Sequence, residues 1–147
     1  MKQRVFYSSV HPITKVFLVV LPTWLLALTI SIFLEGNWKA GDFIASVLIV
    51  ATIIFLIWIL VDTKYIIRDD IILHYHSGPI RGKINIQSIR KIEFQYGWVS
   101  KSLWKASLDK DGLYIYYNKF DDVYISPKHR EEFVNYLLKI NPKIELI

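Results

Sequence analysis

The sequence predicts an α+β protein: a two-helix transmembrane hairpin, then an antiparallel β-barrel of about seven short strands with a C-terminal helix. Three observations lead there. Two uncharged apolar runs, residues 16–34 and 43–61, lie close together in the first half of the chain. From Asp62 the pattern changes to short β-rich runs separated by turn residues. After Ser126-Pro127 it changes again, to an apolar stripe at helical spacing.

The second apolar run (FIASVLIVATIIFLIWILV) contains only Ser46 and Thr52 as mildly polar side chains. As a helix it spans roughly 28 Å, the thickness of a bilayer's hydrocarbon core. The first run (VFLVVLPTWLLALTISIFL) is similar, and it is too long for the apolar region of a cleaved signal peptide. Pro22 removes one helical hydrogen bond, a defect tolerated in membranes where a hydroxyl such as Thr23 lies nearby. Ala27 and Ser31 form a small-xxx-small pair, the expected contact between the two helices, and Trp24 is expected to pack inside. The linker, residues 35–42 (EGNWKAGD), is long enough only for a turn.

The net charge of +5 divides into +3 over residues 1–15, −1 over 35–42 and +3 over 62–147. Lys2, Arg4, Lys15, Lys64 and Arg68 flank the hairpin on one side, with Lys39 alone in the loop. The positive-inside rule then puts both termini in the cytoplasm. The expected organisation is a cytoplasmic flank (1–15), a membrane hairpin (16–61) and a cytoplasmic domain (62–147) able to fold alone. The absence of cysteine excludes disulfides, thiol catalysis and Cys-based metal sites.

Within the domain, strands are expected at 65–68, 71–76, 83–86, 89–95, 104–108, 113–118 and 123–125. Asp69-Asp70 forms the first tight turn, and residues 109–112 and 119–122 form later ones. Ser126 is the expected N-cap of the helix and Pro127 its first residue. Phe133, Leu137 and Ile140, flanked by Val134 and Leu138, form its apolar stripe, and Asn141-Pro142 ends it.

The ordered motifs Tyr65-Ile66-Ile67 with Asp69-Asp70 and Leu73, Gly78-Pro79-Ile80-Arg81 with Ile84, Ser107-Leu108-Asp109 before Leu113-Tyr114-Ile115, and Ile125-Ser126-Pro127 with Phe133, Leu137 and Asn141-Pro142 resemble the small bacterial pleckstrin-homology (PH)-like domains that follow one or two membrane helices. The resemblance covers residues 62–142. It implies a PH-like barrel beside a membrane and no common activity, although a membrane-anchored bacteriocin-immunity protein is similar in architecture. Phosphoinositide binding needs clustered cations in the loop joining the first two strands, where this chain has Asp69-Asp70.

Residue patterns that carry chemistry are few. His74 and His76 alternate on one strand and so point the same way, but no further ligands complete a metal site. The paired aspartates sit at turns, where Asp serves local hydrogen bonding rather than acid–base catalysis. No phosphate loop, nucleophile elbow or zincin motif occurs, and neither apolar run holds an ionisable group. The expectation is a non-catalytic protein without cofactor or metal, in the bacterial inner membrane. A basic and aromatic set, Arg81, Lys83, Arg90, Lys91, Trp98, Lys101, Trp104 and Lys105, is the candidate face for lipid headgroups or a partner. The expected partners are the bilayer and a membrane protein or a second copy, not nucleic acid, since the domain is only +3 and tethered. Two other readings are an immunity protein against an antimicrobial peptide and a membrane enzyme, which a buried polar cluster would favour.

Overall fold

A computed structural model describes residues 3–36, 39–96 and 105–147. The chain opens with a strand, β1 (Gln3–Tyr7), followed by two long helices, α1 (Pro12–Leu34) and α2 (Ala40–Asp62). Both helices are long and apolar enough to cross a membrane. Almost none of either is buried within the protein, so neither is the core helix of a soluble domain. Each starts about one turn before its apolar run: Pro12 takes an early position in α1, where its missing N–H is no loss, and the His11 Nδ1 accepts from the Ile13 N–H at 3.2 Å. Thr23 donates to the Val19 carbonyl at 2.7 Å beside Pro22.

The seam between the helices differs from the sequence expectation. Ala27 and Ser31 are exposed, whereas Thr29 of α1 and Ser46 of α2 are buried. On α2 the less exposed positions include Ser46, Ile49, Ile53, Leu56 and Ile59, and on α1 they include Leu18, Leu21, Leu25, Thr29 and Ile32. Their spacings of three or four residues make the narrow stripe of a paired-helix seam. Thr29 and Ser46 satisfy their hydroxyls on the carbonyls of Leu25 and Asp42. Trp24 points outward, 59 % exposed, rather than packing inside the pair.

Two sheets follow. The first has the order β1-β2-β3-β4, with β2 (Lys64–Arg68), β3 (Ile72–Ser77) and β4 (Ile80–Asn85), all antiparallel. The second has the order β6-β8-β7-β5-β9, with β5 (Ile89–Gln95), β6 (Lys105–Ala106), β7 (Gly112–Tyr117), β8 (Asp121–Ile125) and β9 (Glu145–Leu146). Asp69 and Asp70 form the β2–β3 turn with φ of 50° and 56°, a left-handed pair that suits the twist of a tight hairpin. Helix α3 (Arg130–Ile140) lies between β8 and β9 in the chain.

The expected closed barrel is not formed: the two sheets are open. Among the described residues no ladder joins β4 to β5; instead the chain turns the corner in a one-turn 3-10 helix, Ile86–Ser88. Phe6, Tyr65, Ile67, Leu73 and Ile84 of the first sheet share one core with Ile92, Leu113, Ile115, Val123 and Ile125 of the second and with Phe133, Val134 and Leu137 of α3. The expected apolar stripe of α3 is therefore the buried one. Its start is later than expected, because Ser126 is buried among other hydroxyls and His129 occupies the N-cap position. At the other end Asn141 is buried, and its amide donates to the carbonyls of Ile86 and Ile89, fastening α3 to the corner.

Two strands have no counterpart in the sequence reading. Strand β9 pairs in parallel with β5, and β1 pairs with β2 along its whole length, from Gln3↔Arg68 to Tyr7↔Lys64. Phe6 is 7 % exposed, with its ring edge-on to Phe133 at 5.0 Å. Arg4 forms an ion pair with Glu132 of α3 and lies over the Tyr136 ring.

Candidate functional site

Pairing register sorts the first sheet into two faces, because residues directly opposite in a ladder point the same way. The inner face carries Phe6, Tyr65, Tyr75 and Gly82 in one row and Arg4, Ile67, Leu73 and Ile84 in the next. The outer face has three rows: Tyr7, Lys64, His76 and Arg81; then Val5, Ile66, His74 and Lys83; then Gln3, Arg68, Ile72 and Asn85. Four cations and two imidazoles thus share a surface, although in sequence they are scattered over twenty positions.

The first of these rows adjoins the end of α2. Only Thr63 separates Asp62 from β2, and its hydroxyl bonds to the Ile59 carbonyl at 2.6 Å and to the Ser77 hydroxyl at 3.0 Å. The β3–β4 turn packs on the last turns of the helix: a Cβ on Gly78 would fall 2.7 Å from Ile59 Cγ1. Arg81 donates to Asp62 at 2.9 Å and to the Gly78 carbonyl at 3.1 Å, and its guanidinium lies 5.9 Å from the Trp58 ring centroid. Lys64 Nζ is 3.6 Å from the same Asp62 carboxylate. The sheet is therefore docked on the helix end rather than hung from a linker.

His74 and His76 stand with ring centroids 6.4 Å apart. Both have their pKa held below the ordinary imidazole value. For His74 the causes are burial first, then the charges of Arg68, His76 and Lys83. For His76 burial again leads; Asp62 opposes it, and Arg81, Lys64 and Arg68 add to it. The cations around the pair make it a poor seat for a metal ion, and no group of three potential ligands stands together among the described residues.

The residues expected to form one basic and aromatic face fall on separate surfaces. Arg81 and Lys83 belong to the outer face just described. Arg90 donates to the Lys119 carbonyl at 2.9 Å. On the second sheet, Lys91 lies 3.9 Å from Glu93 and over the Tyr116 ring, and Lys105 lies over the Tyr124 ring. Trp98, Lys101 and Trp104 lie outside the described residues. Sequence reasoning did not assign Lys64, Arg68, His74 and His76 to this surface. The period-two alternation of β2 and β3 hinted at the grouping, but only the register with β4 brings Arg81 and Lys83 beside them.

A buried polar cluster is the feature that would favour a membrane enzyme, and a largely buried one exists where β1 runs into α1. Tyr65 donates to the Ala106 carbonyl at 2.6 Å and accepts from the Ser126 N–H at 2.9 Å. The Ser126 hydroxyl lies 2.9 Å from that of Ser8 and 2.8 Å from that of Ser107, and Ser9 donates to Asp109 at 2.5 Å. Burial pushes the Tyr65 phenol up from its ordinary value, so it stays a neutral donor. Backbone bonds from Ser9 N–H to Ser126 and from His11 N–H to Leu108 complete the arrangement. It acts as a clasp holding the entrance of α1 to both β8 and the residues after β6.

Comparison with known proteins meets this geometry at residues 63–141, which match the family described as Bacterial PH domain. The chain belongs to the bacterial PH domain family. No curated protein and no solved structure shows a significant match to it. In this PH domain the β2–β3 turn carries Asp69 and Asp70, at the end of the strands away from α2, and the Asp70 carboxylate accepts from Tyr136 at 2.5 Å. The turn thus carries two acidic side chains where a phosphate-binding loop would cluster cations.

Proposed function

We propose that the protein is a multi-pass membrane protein that holds a non-catalytic PH domain rigidly against the cytoplasmic face of the bacterial inner membrane as an interaction module. The observation that carries the reading is the pairing of β1 with β2. These strands precede α1 and follow α2, so the two outer ends of the helical pair meet in one sheet, as a hairpin crossing the bilayer twice requires. The cations flanking the pair, against Lys39 alone in the turn, favour the cytoplasm for that sheet. The serine and tyrosine hydroxyls of the clasp are spent on one another, on carbonyls and on Asp109, which supports a structural role for them.

The chain has no cysteine, so single introduced thiols report topology cleanly. Asn37→Cys should react with an impermeant thiol reagent added outside intact cells, and Asp121→Cys only after lysis. Labelling at position 121 alone in intact cells would overturn the orientation.

A further inference from the structure

We infer that the outer face of the first sheet is a binding surface for the headgroups of anionic phospholipids, with Lys64, His76 and Arg81 as the row in contact and Lys83 and His74 as the row behind. The inference rests on the membrane reading above and adds to it a ligand class and a surface. Its basis is position and charge. The β3–β4 turn meets α2 at Ile59, and Arg81 lies over Trp58, so the first row sits at the level where the helix leaves the hydrocarbon. The headgroup layer on one side of a bilayer is about 5–8 Å thick. Rows two residues apart on a strand are separated by about 7 Å. With the strands running away from the bilayer along its normal, the first row lies within the headgroups, the second at their outer limit, and Arg68 in the third lies beyond them.

Charge selects the sign of the lipid. Among the described residues, Asp62 is the acid ion-paired on this face, and it is shared between Arg81 and Lys64, so the face keeps an excess of cations with both imidazoles neutral. Ile66, at the centre of the grid, is only 6 % exposed, so the surface presented is polar. Among the described residues, the second sheet mixes Lys91 and Lys105 with Glu93 and Asp122 on its outer side and offers no comparable field. Each cation near the surface contributes about a fivefold preference for anionic over zwitterionic lipid.

Acidification strengthens the contact. The groups facing the imidazoles are Lys64 and Arg68 from β2, Arg81 and Lys83 from β4, Asp62 from α2, and each imidazole on the other. Protonation adds charge to a cationic cluster, which anionic headgroups relieve.

The test uses the full chain in phosphatidylcholine nanodiscs containing trace spin-labelled phosphatidylglycerol or phosphatidylcholine, and reads the motionally restricted fraction of each. The expected result is a preference for phosphatidylglycerol of about fivefold or more, falling to within about twofold in K64Q/R81Q. The charge-conserving K64R/R81K should keep the preference, which separates charge from folding, and R90Q/K91Q on the second sheet should keep it too. Lowering the pH from about 7.5 to about 5.5 should raise the preference in the native chain and not in H74Q/H76Q. A preference retained in K64Q/R81Q, or lost equally in R90Q/K91Q, overturns the inference and leaves the membrane reading standing. Failure of the native chain to enter either bilayer overturns both.

Discussion

Removing β1 should largely undo the domain. The perturbation is a comparison of residues 62–147 alone with a chain in which residues 3–10 are joined through about six Gly and Ser residues, a reach of about 20 Å, to residues 63–147. The join is feasible because Tyr7 pairs with Lys64 and the Ser8 N–H bonds the Thr63 carbonyl at 3.3 Å, so the linker replaces the whole helical hairpin. Phe6 alone sets the scale: it is 7 % exposed and edge-on to Phe133, and removing a buried phenylalanine side chain costs about 3–5 kcal/mol. Loss of the strand also uncovers the edge of β2 beside Tyr65 and Ile67 and breaks the Ser8 and Ser9 contacts of the clasp. A domain of this size has a total stability of only about 5–15 kcal/mol. Urea denaturation followed by tryptophan fluorescence and circular dichroism should show a cooperative transition for the joined chain. It should show a strongly destabilised or unfolded state for residues 62–147, and a drop of about 3–5 kcal/mol for Phe6→Ala in the joined chain. Equal midpoints for the two chains would refute the assignment of β1 to the core, and restore the expectation that residues 62–147 suffice.

Other outcomes follow from single sites. Gly82→Ala places a Cβ 2.1 Å from the Tyr75 hydroxyl oxygen, in the core, and should destabilise the joined domain by about 1–3 kcal/mol in the same denaturation assay. In the full chain Gly41→Ala, with nothing within 4 Å, should instead be neutral or stabilise α2, read as an unchanged or raised melting temperature. Alkali should weaken the domain from about pH 10 upward: burial raises the pKa of Tyr65, Tyr116, Tyr117 and Tyr124, the middle two to about 12, so the unfolded chain loses those protons first and stability falls through that window. An ultraviolet titration in which every tyrosine ionises near pH 10 before unfolding would contradict this. Acid acts oppositely on His74 and His76, whose folded pKa values are lowered. The unfolded chain binds those protons first, so the stability they contribute is present above about pH 6.5 and declines below it, and H74Q/H76Q should flatten that decline in thermal melts.

What the sequence determined by itself was the part of the structure set by neighbours along the chain. The length and apolarity of α1 and α2, the Asp69-Asp70 turn, the alternation in β5 and β7, and the stripe Phe133, Val134, Leu137 on α3 all express periodicities within a few residues, and each is found in the structure. The family was legible for the same reason, since its signature is an order of such local pieces. Tertiary structure decided the rest. Gln3–Tyr7 has no alternation of its own and is a strand because β2, some sixty residues later, offers a partner edge that buries Phe6 against α3. Ser126 has the local look of a helix cap, yet the hydroxyls of Ser8, Tyr65 and Ser107 claim it first. The openness of the sheets depends on the corner at Ile86–Ser88, where a turn replaces a ladder. The cationic face exists only through register: a one-residue slip of β4 against β3 would send Arg81 and Lys83 to the core side, because strand side chains alternate between faces and only the pairing fixes which residues share a face.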